Sequence, residues 1–207
     1  MARQLAPSVG PMLEHLYSRH LLDQLRREVI DRTQLMSGFT GMHEVTVCFA
    51  DLVGFTRLGE RVEPGELGGV AERLAALAGD VIDPPVRMVK TIGDAAMLVS
   101  PEPAPALDAA LDLVDAADAE GEDFPQLRAG LAGGEALNRY GDWYGSPVNL
   151  ASRVTGIARP GSVLVSELVR EAVDEDRYAW SFAGEKELKG IKRPVPLFRV
   201  RRPPEAS

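Results

Sequence analysis

The 207-residue chain is 45% hydrophobic, enough for one full core but not for two comfortable domains. Its 23 Lys and Arg against 31 Asp and Glu leave a net charge of −8, which excludes a general nucleic-acid backbone binder and a basic membrane-surface protein. The one cysteine, Cys48, excludes an internal disulfide framework and a Cys-rich zinc site, and no apolar run resembles a spanning helix or a signal-peptide core. A cytoplasmic protein with no direct membrane span is the expectation.

After Pro11, Leu13, Tyr17, Leu21 and Leu25 recur every four residues. This spacing predicts an amphipathic helix over residues 11–30 whose apolar stripe needs a partner. Residues 33–41, with Gly38 and Gly41 bracketing Phe39, break the pattern and place the start of the main domain near Met42. The expected division is a helical linker or regulatory segment over residues 1–43, the main domain over 44–202 and a frayed tail over 203–207.

Strands and helices then alternate. The β-branched, apolar run 45–50 reads as a buried strand that stops at Asp51. A helix opens at Glu63-Pro64-Gly65-Glu66 and closes at Pro84-Pro85. Strands over 86–90 and 95–100 are joined by a tight turn at Ile92-Gly93-Asp94. A helix over 104–120 is followed by a strand over 127–137, loosened by Gly130, Gly133 and Gly134, and by a helix over 147–158 with Pro147 in its first turn. A strand at 163–165, a helix over 167–173 and strands over 178–183 and 195–200 complete the sheet. The order β-α-β-β-α-β with additions predicts an α+β, ferredoxin-like (split βαβ) core with a C-terminal extension, preceded by the N-terminal amphipathic helix.

Chemistry concentrates at three places. Asp51 ends a central strand and is followed by a Gly-containing turn through Phe55 and Thr56. Backbone N–H groups freed there suit phosphate, and the carboxylate suits a hard divalent cation. In the second hairpin, Lys90-Thr91-Ile92-Gly93-Asp94 brings another acid to a turn, and two such acids are the minimum for two-metal phosphoryl or nucleotidyl transfer. Singly, Asp51 also reads as a helix cap and Asp94 as a turn residue. Asn149 and Arg153, four apart in a helix, share a face and suit an anionic transition state, or form an ordinary surface pair.

Together, Phe49-Ala50-Asp51-Leu52-Val53-Gly54-Phe55-Thr56, Lys90-Thr91-Ile92-Gly93-Asp94 and Gly145-Ser146-Pro147-Val148-Asn149-Leu150-Ala151-Ser152-Arg153 resemble, in order and spacing, the catalytic domain of the class III nucleotidyl cyclases, of the bacterial homodimeric adenylate cyclase type. The resemblance covers most of the chain, from about Glu44 to Arg202. It implies a homodimer that converts ATP to 3′,5′-cyclic AMP and pyrophosphate, with two Mg²⁺ or Mn²⁺ at each of two sites built at the subunit interface. It further implies that Asp51, Asp94 and the Leu52 carbonyl bind metal, and that Phe55 and Thr56 contact substrate. Asn149 and Arg153 are then the catalytic pair that orients the ribose and stabilises charge at the α-phosphate. Lys90 and Asp142 read the purine, favouring adenine, and Lys189 in Leu188-Lys189-Gly190-Ile191-Lys192 reaches the outer phosphates. Asp94 would serve the metals of its own subunit and Lys90 the site across the dimer axis.

The segment 11–30 is expected to meet an upstream regulatory domain. His15, His20 and His43 read as surface or packed residues, with a pH-sensitive linker as the sharper expectation. Other readings are a catalytically silent cyclase-like module and a guanylate cyclase. The acidity is no obstacle to a nucleotide, because residues 102–123 carry eight acids and no Lys or Arg, and the rest of the chain balances at 23 of each sign. That segment is expected to be a solvated helix face and its loop.

Overall fold

Val45, Val47, Cys48 and Ala50 are buried, and they form the middle of β1 (Gly41–Leu52) in the computed structural model. The structure describes residues 41–203; the predicted N-terminal helix with His15 and His20, the break over 33–40 and residues 204–207 lie outside them. Of the described residues, 42–137 with 143–203 form one compact unit, and Gly41 with Asn138–Asp142 falls in a second. In the second unit, the turn of Asn138–Asp142 is made by Tyr140 (φ 54°) and Gly141 (φ 76°).

In the first unit, β1 leads through a one-turn helix, α1 (Phe55–Leu58), to α2 (Pro64–Val81), which opens on a proline. The hairpin β2 (Arg87–Ile92) and β3 (Ala95–Ser100) follows, then α3 (Pro103–Ala119), β4 (Leu127–Arg139) and the short β5 (Asp142–Tyr144). Next come α4 (Ser146–Ile157), β6 (Ser162–Ser166), α5 (Glu167–Glu171), a 3₁₀ turn at Glu175–Arg177, β7 (Ala179–Lys186) and β8 (Val195–Arg201).

The sheet order is β2-β3-β1-β4-β6-β8-β7, with β5 paired to β4. Inserting β3 antiparallel between β1 and β2 makes the split βαβ arrangement of a ferredoxin-like core, as the order of elements predicted. The parallel pairing of β4 with β6 begins the C-terminal extension.

Strand alternation sorts side chains onto two faces. Cys48, Ala50, Leu52, Val163 and Val165 join the main core beneath α2 and α3, where Leu74, Leu77, Leu107, Leu113 and Ala117 are buried. Leu164 and Leu197 face the other way and pack with Val154 and Ala158, so α4 covers the opposite side.

Several expectations are refined. β1 begins at Gly41 because its first turns alternate exposed Met42 and Glu44 with partly covered His43, a period-2 pattern too polar for a buried run. His43 therefore belongs to the sheet, edge-on to Trp143 with ring centroids 6.0 Å apart. The acid-rich α3 is not merely solvated. Asp108 accepts from Arg177 at 3.0 Å and from the Tyr178 hydroxyl at 2.9 Å, Asp112 pairs with Arg202, and the following Glu120 accepts from Arg73 at 2.7 and 2.9 Å. Gly130 marks a close approach: a Cβ there would lie 2.3 Å from the backbone nitrogen of Thr155 on α4.

Candidate active site

Pairing between β1 and β3 brings the two predicted acids together. Asp51 lies opposite Ala95, and the Leu52 N–H donates to the carbonyl of Asp94 at 3.0 Å, so the end of β1 is tied to the turn that carries Asp94. The Val53 N–H donates to the Gln126 carbonyl at 2.8 Å, which sets the start of β4 alongside. Gly54 then takes φ 79°, the left-handed conformation open to glycine at little cost, and turns the chain into α1.

The result is one cavity of about 560 Å³ lined by the run from Asp51 to Arg57 together with Asp94 and Arg128. Five positions named from the sequence (Asp51, Leu52, Phe55, Thr56 and Asp94) thus converge.

The charges in this cavity are crowded. Burial first, and then the neighbouring Asp51 carboxylate, push the Asp94 carboxyl above its ordinary value, against lowering by its own backbone hydrogen bond and by Arg128. Asp51 in turn is gripped by Arg128, whose Nε and Nη2 donate to one oxygen, Oδ2, at 2.9 and 2.6 Å. Arg128 does not take Oδ1. Its Nη1 donates to the Gly156 carbonyl near the end of α4 at 3.1 Å, so one guanidinium links β1, β4 and α4.

Arg128 was absent from the sequence expectations. It is 77 residues from Asp51, and no local motif marks it. The available signal was a cation at the buried start of a central strand, Leu127-Arg128-Ala129, where a charge needs a partner.

The other predicted residues lie elsewhere. Asn149 and Arg153 are both exposed, one turn apart on α4, as their spacing requires. Arg153 Nε donates to the carbonyl of Lys189 at 3.3 Å, so Arg153 and the Leu188-Lys189-Gly190 turn are neighbours. The Thr155 hydroxyl donates to the Ala151 carbonyl at 2.8 Å and lies 3.2 Å from the Phe49 carbonyl, docking α4 on β1. Lys90 sits on the edge strand β2, opposite Met97, where the register shifts. Asp142 belongs to the smaller unit. None of Lys90, Asn149, Arg153 and Lys189 lines the cavity that holds Asp51 and Asp94.

The Asp51 and Asp94 carboxylates, beside the Arg128 guanidinium, suit a phosphate ligand held with divalent cations. Residues 39–201 match the family model described as the adenylate and guanylate cyclase catalytic domain. The chain belongs to this family.

A pH-sensitive adenylate cyclase of Mycobacterium tuberculosis is 51% identical over 208 residues, which cover 98% of this chain and 52% of the relative. An adenylate cyclase of Streptomyces griseus is 37% identical over 174 residues, 81% of this chain and 39% of the relative. The chain therefore spans about half the length, or less, of these relatives. Among solved structures, an adenylyl cyclase from P. aeruginosa superposes with a TM-score of 0.66 at 22% identity, covering 79% of this chain and 96% of that one, a likeness of fold. The guanylate cyclase domain from Catenaria anguillulae in complex with GTP gives 0.63 at 26% identity, covering 77% and 97%.

Proposed function

We propose that this chain is the catalytic part of an adenylate cyclase, converting ATP to 3′,5′-cyclic AMP and pyrophosphate at two sites shared across a homodimer. One observation carries the reading. Asp51 and Asp94 meet in a single cavity, while Asn149, Arg153 and Lys189, equally part of the family pattern, lie outside it. A subunit that holds two complementary halves apart is completed by a second copy.

The cavity fits the divalent ions that the family generally uses. Two carboxylates and the Leu52 carbonyl are hard oxygen donors, Asp51 keeps Oδ1 beyond the grip of Arg128, and a cation relieves the crowding that raises Asp94. Two Mg²⁺ or Mn²⁺, when bound, would acidify the ribose 3′-hydroxyl and neutralise the triphosphate. The chain supplies the positioning. The turn at Phe55 and Thr56 contacts the phosphates, Lys189 reaches the outer ones, Asn149 orients the ribose, and Arg153 stabilises charge gathering at the α-phosphate. Lys90 donates to adenine N1 and Asp142 accepts from its amine. Guanine reverses both partners, and each buried group left unpaired costs about 1–3 kcal/mol.

The protein is proposed to be cytoplasmic; no helix among the described residues is long and apolar enough to cross a membrane. Residues 1–43 are proposed to meet an upstream regulatory domain, a role consistent with relatives about twice as long. By analogy with the pH-sensitive relative, His15 and His20 on that segment are proposed to confer pH response. A pH–activity profile of the full-length protein left unchanged by His15→Gln with His20→Gln would remove that part.

The enzymatic reading is tested by incubating the protein with Mn²⁺ and either ATP or GTP and identifying the product, with Asp51→Ala as control. Cyclic AMP from ATP, lost in the variant, is expected. Cyclic GMP as the main product would reassign the substrate, and no cyclic nucleotide at concentrations that sustain a dimer would leave a catalytically silent module.

A further inference from the structure

A second cavity, of about 530 Å³, lies beyond the C-terminal end of α4, and no residue assigned to the cyclase site lines it. Its floor is a cross-strand row, Leu164 on β6, Arg199 on β8 and Ser181 on β7, each the register partner of the next. Three cations reach it from three separate places: Arg159 after α4, Lys186 at the end of β7 and Arg199 from the floor. A single carboxylate, Glu187, opposes them.

These cations converge on one cavity without carboxylate partners beyond Glu187 among its lining. Arg73, Arg128, Arg170, Arg177 and Arg202 each meet a carboxylate, whereas no ion pair engages Arg159, Lys186 or Arg199 among the described residues. Arg199 Nε is buried with no hydrogen-bond partner, which leaves the outer guanidinium nitrogens as the groups that can meet a ligand in the cavity. Ser162 Oγ donates to the Arg159 carbonyl at 2.6 Å and fixes the loop that carries Arg159. Ile157, Phe182 and Ala183 add an apolar wall, and the volume is that of a small-molecule site.

We infer that this cavity binds an organic phosphate: a dianion whose charge matches the surplus of two cations, carrying a compact apolar group that rests against Phe182 and Ile157. Guanidinium groups suit the planar, multi-acceptor face of a phosphate, and the apolar wall distinguishes an organic phosphate from the free ion. The site is separate from the one proposed for ATP and does not depend on that assignment.

The test is an amide NMR titration of the full-length chain with phenyl phosphate and, separately, inorganic phosphate. Saturable shifts at Ser162, Ser181 and Arg199 are expected, with phenyl phosphate binding at least about fivefold tighter than inorganic phosphate. Arg199→Gln and the surface variant Arg159→Gln should each weaken binding by about tenfold, and Arg153→Ala should leave it unchanged. Arg159→Gln, on an exposed loop, keeps the test open if Arg199→Gln disturbs the sheet. Shifts confined to the surroundings of Asp51, equal binding of the two phosphates, or binding indifferent to both substitutions would overturn the inference.

Discussion

A close backbone approach holds α4, which carries the proposed catalytic pair Asn149 and Arg153, and it can be perturbed by one methyl group. In Gly130→Ala the new Cβ would sit 2.3 Å from Thr155 N, 2.6 Å from its Oγ1 and 2.8 Å from its Cα. Ordinary contact begins at about 3.4 Å, so α4 must withdraw by roughly 1 Å, because the obstruction is mostly backbone that no rotamer relieves. Withdrawal also stretches the 3.2 Å approach of the Thr155 hydroxyl to Phe49 and loosens buried Ala151 and Val154. Overpacking of this kind costs about 1–3 kcal/mol, which lowers Tm by roughly 3–10 °C in a domain of this size. Because Asn149 and Arg153 ride on the displaced helix, kcat with Mn²⁺ and ATP should fall by about a hundredfold. Asp51 and Asp94 lie on other strands, so Mn²⁺ should still raise the Tm of the variant. Wild-type Tm and kcat in Gly130→Ala would refute the packing of α4 against β4 and the dependence of catalysis on it.

Other expectations follow from the same structure. The Asp94 carboxyl is raised above its ordinary value, so it favours the fold in its protonated form, and that contribution fades as pH rises through its folded value. At neutral pH its charge is therefore unfavourable without a cation, and Asp94→Asn should raise the Tm measured in EDTA while abolishing the further rise on adding Mn²⁺. A lower Tm in EDTA would contradict the assigned cause. Cys48 is wholly buried, and burial pushes its thiol up to about 12. It should ignore a thiol reagent at pH 8 in the folded protein and react on unfolding; rapid labelling of the native protein would place it elsewhere.

The β-α-β-β-α-β core was legible because each element carries a local signal. β-branched runs mark the strands, and prolines open α2, α3 and α4. The acids Asp51 and Asp94 were legible for a related reason, since strand-end and turn positions bring them together once β1 and β3 pair. What the sequence concealed depends on distant partners. Arg128 meets Asp51 across 77 residues, and Asp108 meets Tyr178 across 70. Gly130 looked like a weakness in β4 and is a point where α4 comes too close for any side chain, a fact held by Thr155 and not by its own neighbours. The acidic stretch looked uniformly solvated because the arginines that neutralise it, Arg73, Arg177 and Arg202, lie on other elements. β5 and α1, three and four residues long, are too short to show a period.

The proposal of a site shared between two copies is tested most directly by complementation. Asp51→Ala chains lack the proposed metal ligand and Arg153→Ala chains the proposed transition-state cation, so each alone should be nearly inactive. Mixed in equal amounts and allowed to exchange, about half the dimers become hybrids with one intact site, and activity should return to about a quarter of the wild-type value. A mixture no more active than its separate components, with hybrid dimers demonstrably present, would contradict the shared site.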